Sequence, residues 1–365
     1  MTSKFDRRQF LFGSAAVAAA SAIGLSLPVW PSPTMRALAA SKGLLFGTAL
    51  RDAVMRDPQF ANLIGAQCSI AVSEGALKWD TLRPSPDRYD FRSGDSCLQF
   101  TEANHLLYRG HTLAWHEALP DWFGPVVNSS NARSILLEHI STVVRHYAGK
   151  MHSWDVVNEI VQVRDGRPDG LRDTPWLRFI GPEYVEEAFH AAHEADPNAM
   201  LVYNEDQLEP ANAGGDAKRD HVLTLLKDLL KKGTPIHALG IESHIPAEGF
   251  VGSPNFRRFL QEVSDQGLSV LVTEMDVCDQ LMDADITQRD MQIAKIYYDY
   301  LSFLLQFPSV KAVLTWGLSD RYTWLAMHNP RKDGLPVRPL PFDADLKPTP
   351  AWKAIETAFM DSHKR

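Results

Sequence analysis

Two acidic residues, Glu159 and Glu274, each close a short apolar run of the kind that forms a buried strand. The first run is residues 154–159, WDVVNE, and the second is residues 269–276, SVLVTEMD. If both runs are strands of one parallel barrel, their carboxyl-terminal ends open onto the same face. Two carboxyl groups that face one cleft can cleave a glycosidic bond.

Other polar and aromatic side chains also stand at the ends of apolar runs. An isolated histidine or tryptophan at such a place is more often a solvated loop residue or part of the core. Polar or aromatic groups at seven run ends together favour a sugar cleft, where tryptophan rings stack on pyranose faces and polar groups bind hydroxyls. Besides Glu159 and Glu274, the candidates are Glu74, Lys78, His111, Trp115, Asn158, Asn204, Glu242, His244, Asp276, Trp316 and Trp324.

A zinc site is the alternative use of these polar residues. His111, His116 and His244 could supply the three protein ligands that catalytic zinc takes. Metal-dependent barrel hydrolases, however, tend to carry two histidines at the end of the first strand, and here residues 47–49 are GTA. We therefore expect no metal and no cofactor.

The elements that must position these residues alternate along the chain about eight times. Segments with helical spacing separate the apolar runs, and Gly233 and Gly267 stand where helices should end. Continuous apolar runs are typical of parallel strands covered on both faces, so the pattern predicts a single (β/α)₈ barrel of the α/β class. An open doubly wound sheet would usually show a glycine-rich turn after the first strand, which residues 46–50 lack. The predicted strands are residues 44–48, 68–74, 106–115, 151–159, 200–205, 238–244, 269–276 and 310–318.

The N-terminus has the features of an export signal. Arg7 and Arg8 precede an apolar, alanine-rich run to about Leu27, and residues 37–39, ALA, resemble a cleavage site. The paired arginines indicate the twin-arginine route, with the translocase as a partner and the periplasm or the cell exterior as the destination. We predict a signal peptide at residues 1–39 and a catalytic domain at 40–365. An uncleaved membrane anchor is the alternative.

Charge and cysteine content exclude several classes of protein. The chain carries a net charge of −8. A cut after Ala39 removes four basic residues and one acidic residue, which makes the charge −11. So acidic a body is not expected to bind nucleic acid, and no membrane association is expected after signal cleavage. The cysteines, Cys68, Cys97 and Cys278, have neither metal-type nor disulfide-framework spacing.

Taken together, the motifs resemble those of the family 10 glycoside hydrolases, whose typical members are retaining endo-β-1,4-xylanases. The resemblance covers essentially the whole exported chain. It is carried, in the order of the family, by residues 46–49 (FGTA), 74–79 (EGALKW), 110–116 (GHTLAWH), 154–159 (WDVVNE), 203–205 (YNE), 242–244 (ESH), 273–276 (TEMD) and 315–317 (TWG), with Trp324 beyond them.

The resemblance implies a role for each candidate. Glu159 would be the general acid/base and Glu274 the nucleophile, so that xylan is hydrolysed by double displacement, with carboxyl groups roughly 5 to 5.5 Å apart. Asn158 would hold the 2-hydroxyl of the sugar at the cleavage point, and His244, linked to Asp276, would orient Glu274. The other expected substrate-binding residues are Glu74, Lys78, His111, Trp115, Asn204, Glu242, Trp316 and Trp324.

Two positions depart from the family's pattern. Gly75 stands where the family usually has an asparagine that contacts the second glycone sugar, and Glu242 stands where many members have glutamine. The first change leaves open another β-1,4-glycan as substrate: cellulose, mannan or mixed-linkage glucan. The second adds a carboxylate near the catalytic pair, which would raise the pKa of whichever group ionises last. A catalytically silent carbohydrate-binding barrel is the non-enzymatic alternative, and the presence of both carboxylates argues against it.

Overall fold

Eight parallel strands close into a ring, which confirms the predicted (β/α)₈ barrel. The computed structural model describes residues 33–51 and 56–365. Hydrogen-bonded neighbours follow the order of the chain, and the first strand closes the ring by pairing with both the second and the last. The strands are β1 Leu45–Leu50, β2 Ile70–Ser73, β3 Leu107–Ala114, β4 Ser153–Asn158, β5 Met200–Glu205, β6 Ala238–Ile241, β7 His244–Ile245, β8 Ser269–Val277 and β9 Val310–Thr315.

The sixth predicted strand, residues 238–244, is wrong in its length. The structure divides it into β6, which pairs with β5 and β8, and the two-residue β7, which pairs with β8 alone. The break falls at Ser243, whose φ of +70° is incompatible with an extended strand. As a result, the chain turns at the rim of the barrel, between Glu242 and His244.

Burial on both faces explains why the strands are apolar throughout. Every residue of β4 is buried, and the barrel interior is filled by small and branched side chains, among them Ile70, Val72, Leu271 and Leu314. The packing is close at Gly110, where an added Cβ would lie 2.0 Å from the ring of Trp154. The interior of the ring is therefore a packed core.

Helices connect the strands and pack around the ring. Gly233 and Gly267 follow the helices that end at Lys231 and Asp265, with φ of +82° and +79°, as predicted for helix stops. The helices are α1 Met35–Ser41, α2 Pro58–Gln67, α3 Trp79–Leu82, α4 Arg92–Ala103, α5 Phe123–Val126, α6 Ala132–His146, α7 Pro175–Ile180, α8 Tyr184–Ala195, α9 Ala213–Lys231, α10 Pro254–Asp265, α11 Ile286–Leu304, α12 Leu325–His328 and α13 Pro350–Asp361. Among the described residues, no helix has the length and apolar character needed to cross a membrane.

Helix α1 is part of the barrel, although the predicted cleavage site lies within it. Met35 and Ala39 are fully buried, and the amide of Met35 donates to Gln67 Oε1 at 2.9 Å. The guanidinium of Arg36 donates to the carbonyls of Asn104 and His105 at 3.2 and 2.7 Å. A cut after Ala39 would divide this helix. Residues 1–32 of the predicted signal peptide lie outside the described residues.

Candidate active site

A cleft of about 400 Å³ lies at the carboxyl-terminal ends of the strands. It gathers residues from all parts of the chain, as expected of loops that follow the strands of one barrel. All the candidate residues line it except Asn204 and Asp276, which are fully buried. The lining residues are Glu74, Lys78, His111, Trp115, Glu117, Asn158, Glu159, Asp206, Gln207, Glu242, His244, Glu274, Trp316, Trp324 and His328.

Glu159 follows the last residue of β4 in a left-handed backbone conformation. Its φ is +52°, and its amide donates to the carbonyl of Asn204 at 3.0 Å. The carboxylate lies 3.4 Å from the guanidinium of Arg172. Burial and the nearby negative charge of Asp206 raise the pKa of Glu159 to about 8, against the opposing charge of Arg172. Glu159 is therefore protonated at neutral pH.

Glu274 lies within β8 and faces the same cleft, but its protonation state differs from that of Glu159. Its Oε1 accepts from Asn204 Nδ2 at 2.9 Å, and its Oε2 lies 3.5 Å from His244 Nε2. Burial alone would raise the pKa of Glu274, but His111, His244 and Lys78 hold it below its ordinary value. Glu274 is therefore ionised where Glu159 is not.

Asn204 joins the groups at the floor of the cleft from below. Its side-chain amide donates to Asn158 Oδ1 at 2.8 Å and to Glu274 Oε1 at 2.9 Å. Its side-chain oxygen Oδ1 accepts from Thr273 Oγ1 at 2.7 Å, which determines the orientation of the side-chain amide. Asn204 is fully buried, so its side chain lies behind the residues that line the cleft.

Asp276 and His244 support Glu274 from one side. Nδ1 of His244 lies 2.8 Å from Asp276 Oδ1, and the indole of Trp324 donates to Asp276 Oδ2 at 2.7 Å. Burial opposes a charge on His244, but the charge of Asp276 and the hydrogen bond to it override this and raise the pKa of His244 well above its ordinary value. The imidazolium therefore places a positive charge beside Glu274.

Glu242, the departure from the family's glutamine, lies among these groups. It accepts weakly from Asn204 Nδ2 at 3.3 Å. Burial, and then the proximity of the Glu274 and Glu159 carboxyl groups, raise its pKa well above its ordinary value, which favours the neutral form of Glu242. A neutral carboxyl resembles the amide that it replaces in shape and in its ability to donate a hydrogen bond.

One group in the cleft has the geometry to hold a metal ion. Among the described residues, Glu242, His244 and Glu274 each place one ligand atom within 4.8 Å of the others. His111 and His116, which the zinc alternative paired with His244, are not members of such a group in that part of the chain. An ion at this place would occupy the carboxylate of Glu274.

Aromatic rings and one cation form the wall near Glu74. The ammonium of Lys78 lies 4.6 Å from the centre of the Trp115 ring, and the His111 ring lies edge-on to Trp316 at 5.4 Å. Glu74 forms a 2.6 Å ion pair with Arg51. Next to it, no described atom lies within 4 Å of a Cβ built on Gly75, so this position is open where the family has a side chain.

Several lining residues were not predicted from the sequence. Asp206 and Gln207 directly follow β5, and the polar pair after Asn204 and Glu205 is a signal that could have indicated them. Glu117 lies in the loop after β3 and His328 is the last residue of α12, and neither belongs to a comparable pattern. Arg172, which reaches back to Glu159 from thirteen residues along the chain, has no local signal at all.

Comparisons with known proteins identify the family. The model of glycosyl hydrolase family 10 matches residues 34–358, and that of the twin-arginine translocation signal matches residues 4–24. An endo-1,4-beta-xylanase B of Thermotoga neapolitana is 35% identical over 280 residues, which are 76% of this chain and 77% of the relative.

Solved structures show the same architecture. The native xylanase 10B of Thermotoga maritima superposes with a TM-score of 0.81 at 32% identity, over 90% of this chain and 98% of that one. The xylanase 10B of Thermotoga petrophila RKU-1, in complex with xylobiose, has a TM-score of 0.81 at 31% identity, over 91% and 99% of the two chains. The chain therefore belongs to glycosyl hydrolase family 10.

Proposed function

We propose that the chain is an endo-acting xylanase that hydrolyses β-1,4-xylosidic linkages with retention, using Glu274 as the nucleophile and Glu159 as the acid/base. The observation that carries this assignment is the difference between two carboxyl groups in one cleft. The pKa of Glu274 lies below its ordinary value and that of Glu159 is raised to about 8. One group is thus an anion and the other a proton donor at the same pH, as the double displacement requires.

In the first step, a carboxylate oxygen of Glu274 forms a bond to the anomeric carbon. The bond from that carbon to the glycosidic oxygen breaks, and Glu159 transfers its proton to this oxygen. The product is a covalent glycosyl-enzyme ester, and the shortened glycan leaves with a free hydroxyl. General acid catalysis of this kind contributes about 10²–10⁴-fold to the rate.

In the second step, Glu159 acts as the base. The ester has removed the negative charge of Glu274, which had favoured the protonated form of Glu159. The ionised Glu159 takes a proton from water as the water oxygen attacks the anomeric carbon and Glu274 departs. Two inversions at one carbon retain its β-configuration.

The remaining lining residues would bind and orient the sugar. Asn158, which lies beside Glu159 with its Nδ2 3.3 Å from Oε1, is suited to hold the 2-hydroxyl at the cleavage point. His244, held by Asp276, would orient Glu274. On the glycone side, the sugars would contact Lys78, His111, Trp115, Trp316 and Trp324. Glu74 and Glu242, which also line the cleft, would bind the substrate as well.

The twin-arginine signal directs the chain out of the cytoplasm in a folded state, to the periplasm or beyond the cell. In a folded chain, Ala39 is buried within α1 and is closed to a peptidase. We therefore propose that the boundary between the leader and the catalytic domain lies before Thr34, not after Ala39. The family match, which begins at residue 34, agrees with this boundary.

Proton NMR of the anomeric region during digestion of linear β-1,4-xylan tests the proposed function, with cellulose and mannan as controls. We expect xylo-oligosaccharides whose new reducing ends are first seen as the β-anomer. Cleavage of another glycan with retention would support the catalytic pair and contradict the substrate, and the open position at Gly75 would then be the first place to look. Early α-anomer would contradict the double displacement.

A further inference from the structure

Arg172 contacts the proposed acid/base residue at two places. Its Nε donates to the backbone carbonyl of Glu159 at 2.6 Å, and one terminal nitrogen lies 3.4 Å from Oε2 of the Glu159 carboxyl group. The same nitrogen lies 3.5 Å from Oδ1 of Asp206. One guanidinium thus joins the main chain of Glu159, its side chain and a second carboxylate in the cleft.

The main-chain contact has a conformational consequence. Glu159 is in the left-handed region with φ of +52°, a backbone conformation that a residue other than glycine rarely adopts unless surrounding contacts hold it there. The support comes from both sides, because the amide of Glu159 donates to the Asn204 carbonyl and its carbonyl accepts from Arg172. The amide of Arg172 also donates to the carbonyl of Ile160 at 2.8 Å. The direction of the Glu159 side chain therefore depends on where Arg172 is held.

Asp206 holds Arg172 from the far side. It lies directly after β5 and is itself paired with Lys218, which also lies 2.8 Å from Glu205. Burial opposes ionisation of Asp206, but Lys218 and Arg172 hold its pKa below the ordinary value, so Asp206 is an anion throughout the neutral range. Lys218, Asp206 and Arg172 form a chain of alternating charges that ends at Glu159.

The positive charge of Arg172, if unopposed, would hinder acid catalysis by Glu159. A positive charge within about 4 Å favours the ionised form of a carboxyl group, and Glu159 must carry a proton when the glycosidic bond breaks. Asp206 supplies the opposing charge. Three other carboxyl groups also act on Glu159, namely Glu205 on β5, Glu274 on β8 and Glu242 after β6. His116 after β3 and Lys218 on α9 face the Arg172–Asp206 pair.

We infer that Arg172 and Asp206 are a charge-balanced pair of positioning residues: Arg172 aims the Glu159 carboxyl group at the glycosidic oxygen, and Asp206 preserves its proton. The inference rests on the proposed function, because it assigns the pair a purpose only if Glu159 is the acid/base. Arg172 and Asp206 then have opposite electrostatic effects on the Glu159 carboxyl group. A pair that only connected two loops would not shift the pKa of Glu159 in opposite directions when one or the other residue is replaced.

The test is the pH dependence of kcat/KM on a xylo-oligosaccharide, whose poor leaving group needs the acid. Asp206→Asn leaves the charge of Arg172 unopposed, so the alkaline limb should move to lower pH by about one pH unit. Arg172→Met should move the same limb to higher pH while lowering the maximum. Arg172→Lys keeps the charge and loses the fork of donors, so the limb should stay while the maximum falls.

Two controls separate the possible failures. Asp173→Asn removes the neighbouring carboxylate, which pairs with Arg178 on the surface, and should leave the profile unchanged. Glu159→Gln identifies the limb itself. If the alkaline limb survives in Glu159→Gln, the proposed role of Glu159 is wrong.

If the limb belongs to Glu159 but Asp206→Asn and Arg172→Met shift it in the same direction or not at all, only the charge-balanced pair is wrong. On an aryl β-xylobioside with a dinitrophenol leaving group, all three variants should lose less than threefold in kcat/KM, because that bond breaks without acid assistance. An equal loss on both substrates would also overturn the inference. If Arg172→Met does not fold, as judged by circular dichroism, Asp206→Asn and Arg172→Lys still decide it.

Discussion

The imidazole of His244 lies 2.8 Å from Asp276 on one side and 3.5 Å from Glu274 on the other. Asp276 stabilises the charged form of His244, and the charged form of His244 in turn stabilises ionised Glu274. A buried aspartate therefore acts on the proposed nucleophile through a histidine, without touching the substrate. The acidic limb of the pH profile of kcat/KM, which reports the ionisation of Glu274, should therefore depend on the contact between Asp276 and His244.

Asp276→Asn should move the acidic limb of kcat/KM to higher pH. Without the Asp276 charge, His244 loses its proton more easily, and the pKa of Glu274 rises because a positive charge is lost beside it. Trp324→Phe is the matched control, since it removes the other hydrogen bond of Asp276 without changing its charge. A shift of equal size in both variants would show that packing around Asp276, and not its charge, determines the limb.

Glu274→Ala and Glu159→Ala should differ in their response to the leaving group. Loss of the nucleophile removes the reaction path, so Glu274→Ala should reduce turnover to background on every substrate. Loss of the acid costs about 10²–10⁴-fold on xylan. It should cost little in the first step on an activated aryl glycoside, for which a burst of phenol measures bond cleavage directly. Equal losses of Glu159→Ala on both substrates would contradict its role.

The activity of the unmodified chain should follow a bell-shaped pH profile. Glu274 must be ionised, which its lowered pKa allows down to acidic pH, and Glu159 must be protonated, which its pKa of about 8 allows through neutrality. The alkaline limb of kcat/KM should therefore lie above pH 7. An alkaline limb near pH 5 would place a different group in control of the profile.

Glu242→Gln should stabilise the protein at neutral pH and not at acidic pH. The pKa of Glu242 is raised by folding, so the folded state holds a proton that the unfolded chain loses above about pH 4.5. This lowers stability as the pH rises from that value towards the folded-state pKa. Glutamine cannot ionise, so the Tm of the variant should exceed that of the parent at pH 7 and match it near pH 4.

The control for this prediction is Glu262→Gln on the surface. The pKa of Glu262 is lowered by its hydrogen bond to Lys227, so this variant should lose a little stability at pH 7. Calorimetric scans of the two variants should thus differ from the parent in opposite directions. A Tm of Glu242→Gln below the parent at pH 7 would mean that Glu242 is ionised in the folded protein.

Removal of residues 1–39 should destabilise the barrel more than removal of residues 1–32. The longer deletion takes away the buried side chains of Met35 and Leu38, each worth roughly 2 kcal/mol. It also removes the bonds of Arg36 to the carbonyls of Asn104 and His105. Thermal unfolding of the two chains measures the difference, and equal Tm values would contradict the assignment of α1 to the catalytic domain.

The N-terminus of the exported protein gives an independent check of the same boundary. Intact-mass measurement should find α1 retained, with a first residue no later than Thr34. For the thermal-unfolding comparison, Arg36→Ala in the chain that starts at Pro33 is the control: its Tm shows how much the hydrogen bonds of Arg36 contribute by themselves. A mature chain beginning at Ala40 would restore the predicted cleavage after Ala39.

Much of the barrel was determined by the sequence alone. Strands covered on both faces must be apolar along their whole length, so β4, β5 and β8 were predicted with at most two residues of error at either end. The location of the cleft followed from the same pattern, because the carboxyl-terminal ends of parallel barrel strands meet at one rim. The prediction that Glu159 and Glu274 face one cleft is therefore confirmed, although the two residues are distant along the chain.

Only the tertiary structure decided which groups act on that pair. Asn204 was predicted to bind the substrate; in the structure it is fully buried and donates to Asn158 and Glu274, which line the cleft. The contact of Arg172 with Glu159 is made by a loop that folds back onto its own strand. Charge states are set by burial and by charges across the barrel within a few ångströms, and these are distances that no local pattern of residues contains.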